Sequence, residues 1–186
     1  MSATIRIDDQ IDRSLRARYL GAPDFQAMLG SVQKNAELWA GIARRAHVDE
    51  EFLDRVARLG RRWHLLALSE DWCGDAVNTL PVISRLAELS PLVDLRVLSR
   101  DSNEDLMAAH LTGVSRSIPV VIALDEQFVE RGWWGPRPSE LQRFVLGSGQ
   151  GLDKVSRYRD VRTWYARDHG ATTLDELISL LERAPI

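Results

Sequence analysis

The residue best suited to chemistry is Cys73, in the run Glu70-Asp71-Trp72-Cys73-Gly74-Asp75-Ala76. A short apolar run precedes it and a helical pattern follows, so its sulfur falls at the first turn of a helix. Unpaired backbone N–H groups and the positive end of the helix dipole favour thiolate there. Glu70, Asp71 and Asp75 work in the opposite sense, because like charge near a forming anion raises its pKa. Asp75 also competes for the helix-end donors. Cys73 is thus a candidate nucleophile, and the three acids are its candidate modulators. It is also the only cysteine, which excludes an intrachain disulfide and a cysteine zinc site. His47, His64, His110 and His169 have no metal-ligand spacing, and no metal is expected.

The positioning elements follow from periodicity. Residues 63–68, Trp-His-Leu-Leu-Ala-Leu, form an apolar run of buried-strand length. Val77, Leu80, Ile83 and Ala87 then lie on one helical face. Residues 93–98 read as a second strand and 103–111 as a helix with acids in its first turn. Two β-rich runs, 119–124 and 127–134, flank Asp125-Glu126 and suggest a hairpin. Ser139 with Gln142 has capping-box spacing and opens a further helix. Upstream, residues 24–46 carry helical spacing interrupted by Gly30 and Gly41, giving one long helix or two short ones, and 49–60 give another. Downstream, the flexible run 147–151 precedes a helix over 152–169. Thr173 with Glu176 marks a last helix, ended by Pro185. The expected organisation is a helical extension over 1–62, an α/β core over 63–146 and a helical extension over 147–186, forming one compact domain overall.

Four spacings within this order resemble the thioredoxin superfamily. Trp72-Cys73-Gly74-Asp75 is similar to the start of its Trp-Cys-Gly-Pro-Cys site, and Pro81 stands where the family has its helix-kinking proline. Ser117-Ile118-Pro119 matches the loop with the family's cis-proline, and Gly135 matches the glycine after the last strand. The resemblance implies an α/β thioredoxin-like fold, a central mixed sheet flanked by helices, with helical N- and C-terminal extensions. It also implies a groove where Ile118 presents its backbone to an extended ligand and Pro119 fixes the loop. Trp72, Gly74, Trp134 and Gly135 would line that groove, and Arg116 would offer a charge-assisted contact to a carboxylate. Two departures bear on mechanism. The second cysteine falls at position 76, which is Ala76, and the buried acid of thioredoxins falls at position 67, which is Ala67.

A dithiol mechanism is therefore closed to this chain alone. The expected activity is monothiol thiol-disulfide exchange through Cys73. Glutathione or another low-molecular-weight thiol would serve as resolving co-substrate, and a disulfide- or thiol-bearing protein or small thiol as partner. The alternative is a redox-inert binding module that uses the groove. An iron–sulfur carrier would need a Cys-Gly-Phe-Ser site, from which Asp75-Ala76 departs. The formal net charge of −3 points to neither nucleic acid nor an anionic membrane. Residues 1–9 lack the pattern of a secretory signal, and no apolar run is long enough to span a bilayer, so a reducing, cytoplasmic setting is the expectation. Arg157, Arg159, Arg162 and Arg167, with Trp164 and Tyr165, read as a solvated tail-helix face that buries its aromatics.

Overall fold

A computed structural model describes residues 7–185, and side chains from residue 14 onward. The expectation drawn from residues 1–9 falls largely outside that span. Four strands form one sheet in the order β2-β1-β3-β4. Strand β1 (Trp63–Ser69) runs parallel to β2 (Val93–Ser99) and antiparallel to β3 (Val120–Leu124), which pairs antiparallel with β4 (Glu130–Trp134). Every residue of β1 and β3 is buried. That explains why they read as continuous apolar runs and not as alternating ones.

Helix α5 (Gly74–Leu89) crosses over from β1 to β2 and carries Pro81 in its buried face. Helix α6 (Glu104–Ala109) follows β2. This mixed sheet with flanking helices is the α/β thioredoxin-like architecture expected from the sequence. At the N-terminal side stand α1 (Ile7–Gly21), which the periodicity did not mark, and then α2 (Phe25–Ser31), α3 (Ala36–Arg45) and α4 (Glu50–Leu59). The pattern over 24–46 thus resolves into two helices. The break has a tertiary cause: the Gln33 and Lys34 N–H groups turn to the Asp71 carboxylate, at 3.1 and 2.8 Å.

At the C-terminal side are α7 (Ser139–Leu146), α8 (Lys154–Asp168) and α9 (Ala171–Arg183). Helix α7 opens at Ser139 as expected, but neither capping box forms. The Ser139 N–H and hydroxyl donate to Glu176 across the α7–α9 contact, at 2.8 and 2.6 Å, and Gln142 accepts from Arg137. Tertiary partners have taken Ser139, Gln142 and Glu176, while the Thr173 hydroxyl is buried without a hydrogen-bond partner. Helix α9 starts before Thr173, which lies fully buried inside it. The supposedly flexible residues 147–151 include a 3-10 turn, Ser148–Gly151, with Gly149 buried. Strand β4 begins three residues later than expected, because the Asp125 carboxylate gathers the Gln127 and Val129 N–H groups into a loop. No helix among the described residues is long and apolar enough to cross a membrane.

The N-terminal helices bear directly on the cysteine loop. Trp39 is fully buried, and its indole N–H donates to the Asp71 carbonyl at 2.9 Å, two residues before Cys73. Trp39→Phe is expected to lower the unfolding free energy by about 1–2 kcal/mol, through the lost hydrogen bond and the void left by the smaller ring. Urea titration checks this through a lower midpoint at unchanged slope.

Candidate functional site

Strand β1 ends at Ser69 and the chain turns through residues 70–72, which leaves Cys73 as the N-cap of α5. A serine or threonine oxygen commonly fills this role. Here the Cys73 Sγ accepts the Ala76 N–H at 3.5 Å and donates its own proton to the Ile118 carbonyl at 3.2 Å. The cysteine is only 7% exposed. Opposite it the Ile118–Pro119 peptide is cis, and so is Gly135–Pro136. These two proline loops touch. A methyl group added to Gly135, whose φ is +133°, would lie 2.1 Å from the Pro119 carbonyl oxygen. Only glycine allows that approach.

Asp75 sits at the first turn of α5 and is almost wholly engaged. Arg137 donates to its Oδ2 from Nε at 3.0 Å and from Nη2 at 2.5 Å, and the Tyr165 hydroxyl donates to Oδ1 at 2.7 Å. The remaining Arg137 amino group donates to Gln142 at 2.7 Å. The side chains of the pair are 17% and 14% exposed. Among the described ion pairs, no other has both partners below one fifth exposed. Three separate elements meet on this one carboxylate: α5, the loop after β4, and α8.

The contest over the sulfur is thereby decided by burial. Burial pushes the Cys73 thiol up to about 11, and the Asp75 charge adds to the rise. The Ala76 and Asp75 N–H groups and the Arg137 charge act in the lowering sense but do not win. The helix end alone therefore does not make a thiolate at neutral pH. Glu70 and Asp71 serve a different task from the modulation expected of them. Glu70 accepts from the Ser99 hydroxyl at 2.8 Å and the Asp101 N–H at 3.0 Å, and so joins the ends of β1 and β2. Asp71 holds the α2–α3 connection, as described above.

Other expected groove residues separate into two groups. Trp72 stands 42% exposed with the Arg100 guanidinium 5.0 Å over its ring, and Arg100 also donates to the Arg116 carbonyl. The Arg116 side chain is half-exposed on the same lip, 3.9 Å from Glu104. Trp134, by contrast, is buried, and its indole N–H donates to Glu176 of α9 at 2.9 Å. That bond ties β4 to α9. Arg137 escaped the sequence reading. Its signal was a cation between two prolines, two residues past the glycine that follows the last strand. Tyr165 was noticed only as part of a solvated helix, of which it is the buried member. Among the described residues no group of three His, Cys, Asp or Glu side chains is placed to hold a metal ion.

A thioredoxin family profile matches residues 22–157, nearly three quarters of the chain. The chain belongs to the thioredoxin family. Solved structures agree on the fold. An HIV epitope-scaffold superposes with a TM-score of 0.73 at 21% identity, covering 91% of this chain and 98% of its own. A protein of unknown function from Pseudomonas aeruginosa gives 0.70 at 22% identity, with 88% and 94% covered. No curated protein matches the sequence. This thioredoxin-family chain thus shares its architecture with proteins at an identity that speaks for fold alone.

The two glycines of the site give contrasting expectations. Gly135→Ala should cost about 3 kcal/mol or more in a denaturant titration, since the added methyl meets a fixed carbonyl. Gly74→Ala, where nothing lies within 4 Å, should change stability by less than about 1 kcal/mol. For the thiol, the folded pKa lies above that of an unfolded cysteine, about 8.5. Its contribution to stability is therefore complete below that value and is lost as pH rises toward 11. Between those limits the wild-type chain should lose more stability than Cys73→Ala, as measured by urea midpoints across the range.

Proposed function

We propose that this thioredoxin-family chain performs monothiol thiol-disulfide exchange at Cys73, with an external thiol such as glutathione resolving the adduct. The observation that carries the reading is the buried Asp75–Arg137 pair beside the one sulfur. Burying two charges costs several kcal/mol per ion before their attraction and hydrogen bonds offset it. A groove that only binds has no need of a cation and an anion next to a thiol, whereas a sulfur that changes charge during a reaction does.

In the exchange, the Cys73 thiolate attacks one sulfur of a disulfide R–S–S–R′. The Cys73–S–S–R bond forms and R′–S⁻ leaves, taking up a proton in water. A glutathione thiolate then attacks the R sulfur, which forms a glutathione–R disulfide and returns Cys73 as thiolate. With Ala76 in place of a second cysteine, no step within the chain can substitute for the external thiol. The exposed lip of Trp72 and Arg116 would receive the apolar and carboxylate parts of the incoming partner.

Glutathione disulfide supplies the test. Intact-mass analysis of the folded chain at mildly alkaline pH should show one glutathione adduct, on Cys73, removed by reduced glutathione and absent in Cys73→Ser. Because the thiol is buried and protonated, the adduct should form at least tenfold more slowly than on the urea-unfolded chain. If the unfolded chain is modified and the folded chain never is, exchange at this site is refuted. The same closed geometry favours the second reading, a redox-inert binding module in which Cys73 is a helix cap. That reading takes over if Cys73→Ser retains every partner interaction of the wild type.

A further inference from the structure

The exchange reading leaves one requirement open: the negative charge that appears on sulfur needs a partner inside a nearly closed site. We propose that Arg137 is the counter-ion of the Cys73 thiolate, and that Asp75 and Tyr165 hold it in reserve in the resting protein. The proposal rests on the thiol-exchange reading and assigns the control of that same site.

The geometry supports it in three ways. Arg137 sits on the Asp75 carboxylate, two residues along α5 from the sulfur that caps the helix, and its positive charge there acts in the direction that favours the thiolate. Its position is fixed by the loop after β4, because Gly135, two residues earlier, is pressed against the Pro119 carbonyl. Its charge is nevertheless spent. Two of its nitrogens point to the same Asp75 oxygen and the third to Gln142. Asp75, two residues along α5 from the cysteine, places a negative charge on the sulfur's own helix end and also claims the cation that would offset it.

Tyr165 completes the arrangement from outside the α/β layer. Its hydroxyl occupies the other Asp75 oxygen, and it is the buried residue of α8, a helix otherwise half-buried or exposed. Any movement of α8 away from α5 removes one of the two groups that satisfy the carboxylate. A partner that displaced α8 would therefore change the thiol's charge balance without touching the sulfur's own hydrogen bonds. Asp75 and Tyr165 are positioning residues in this scheme, since they act through Arg137.

Thiolate absorbance in the ultraviolet, measured against pH in the absence of any disulfide, tests the assignment. Each variant is read as the difference from its Cys73→Ala counterpart, which removes the tyrosine signal. Asp75→Asn should lower the thiol midpoint by about one unit or more, a tenfold gain in thiolate at a given pH. Adding Arg137→Gln to that variant should return the midpoint toward the wild-type value. Arg137→Lys alone should stay near wild type, while Arg137→Gln alone should rise above it.

A midpoint unmoved by Asp75→Asn, or a double variant indistinguishable from Asp75→Asn, overturns the proposal. Should Asp75→Asn fail to fold, equal midpoints for Arg137→Lys and Arg137→Gln overturn it independently. A merely structural role for Arg137 would change melting temperature in these variants without ordering the midpoints by charge. The result is separable from the exchange test. Midpoints ordered as expected in a chain that forms no mixed disulfide would refute exchange and leave the counter-ion assignment standing.

Discussion

The Asp75 carboxylate is the point on which the site depends. It accepts hydrogen bonds from a guanidinium fixed by the loop after β4 and from a hydroxyl on α8, and it belongs to the helix that the cysteine caps. An isolated carboxylate this buried would be strongly disfavoured. Neutralised by Arg137 and hydrogen-bonded on both oxygens, it becomes a rigid joint among three elements. Because neither partner tolerates the loss of the other, the joint also fixes the local charge: one acid and one base, balanced, beside an uncharged sulfur.

The sheet supplies what that joint needs. A central β1 buried on both faces delivers the cysteine loop to the same end of the sheet as the β3 entry. The loop itself is held from below by Glu70, which bridges the ends of β1 and β2, and from the N-terminal side by Asp71 and Trp39. Acids that surround a cysteine in sequence need not surround it in space. Two of the three here are turned outward to anchor backbone, and only Asp75 acts on the thiol.

This divides what the sequence disclosed from what it hid. Strands β1 and β3 were legible as buried apolar runs, and the chemistry-bearing loop was legible because Trp72-Cys73-Gly74, Pro81, Ile118-Pro119 and Gly135 recur at family spacing. The opening of α7 at Ser139 was legible, whereas the start of α9 was misread and neither capping box formed, because polar side chains at that spacing have other uses, and Glu176 found Ser139 and Trp134 instead. Arg137 and Tyr165 were illegible as site residues for a different reason. They lie 62 and 90 positions from Asp75, and no local pattern encodes a contact made by packing a tail helix onto a loop.

The missing acid at position 67 and the missing thiol at position 76 take on a joint meaning once the site is built. Ala67 is fully buried in β1, so no proton acceptor stands beneath the cysteine from the strand side. The carboxylate lies instead at the helix end, where both of its oxygens are taken by Arg137 and Tyr165. A second thiol in the chain would make resolution intramolecular and independent of access. With Ala76 there, every productive cycle in the exchange reading requires one external sulfur to reach Cys73, a residue 7% exposed, and a second to reach the mixed disulfide formed on it. The carboxylate beside that residue is held in turn from α8, through the Tyr165 hydroxyl, so the charge nearest the sulfur depends on how the tail helix packs.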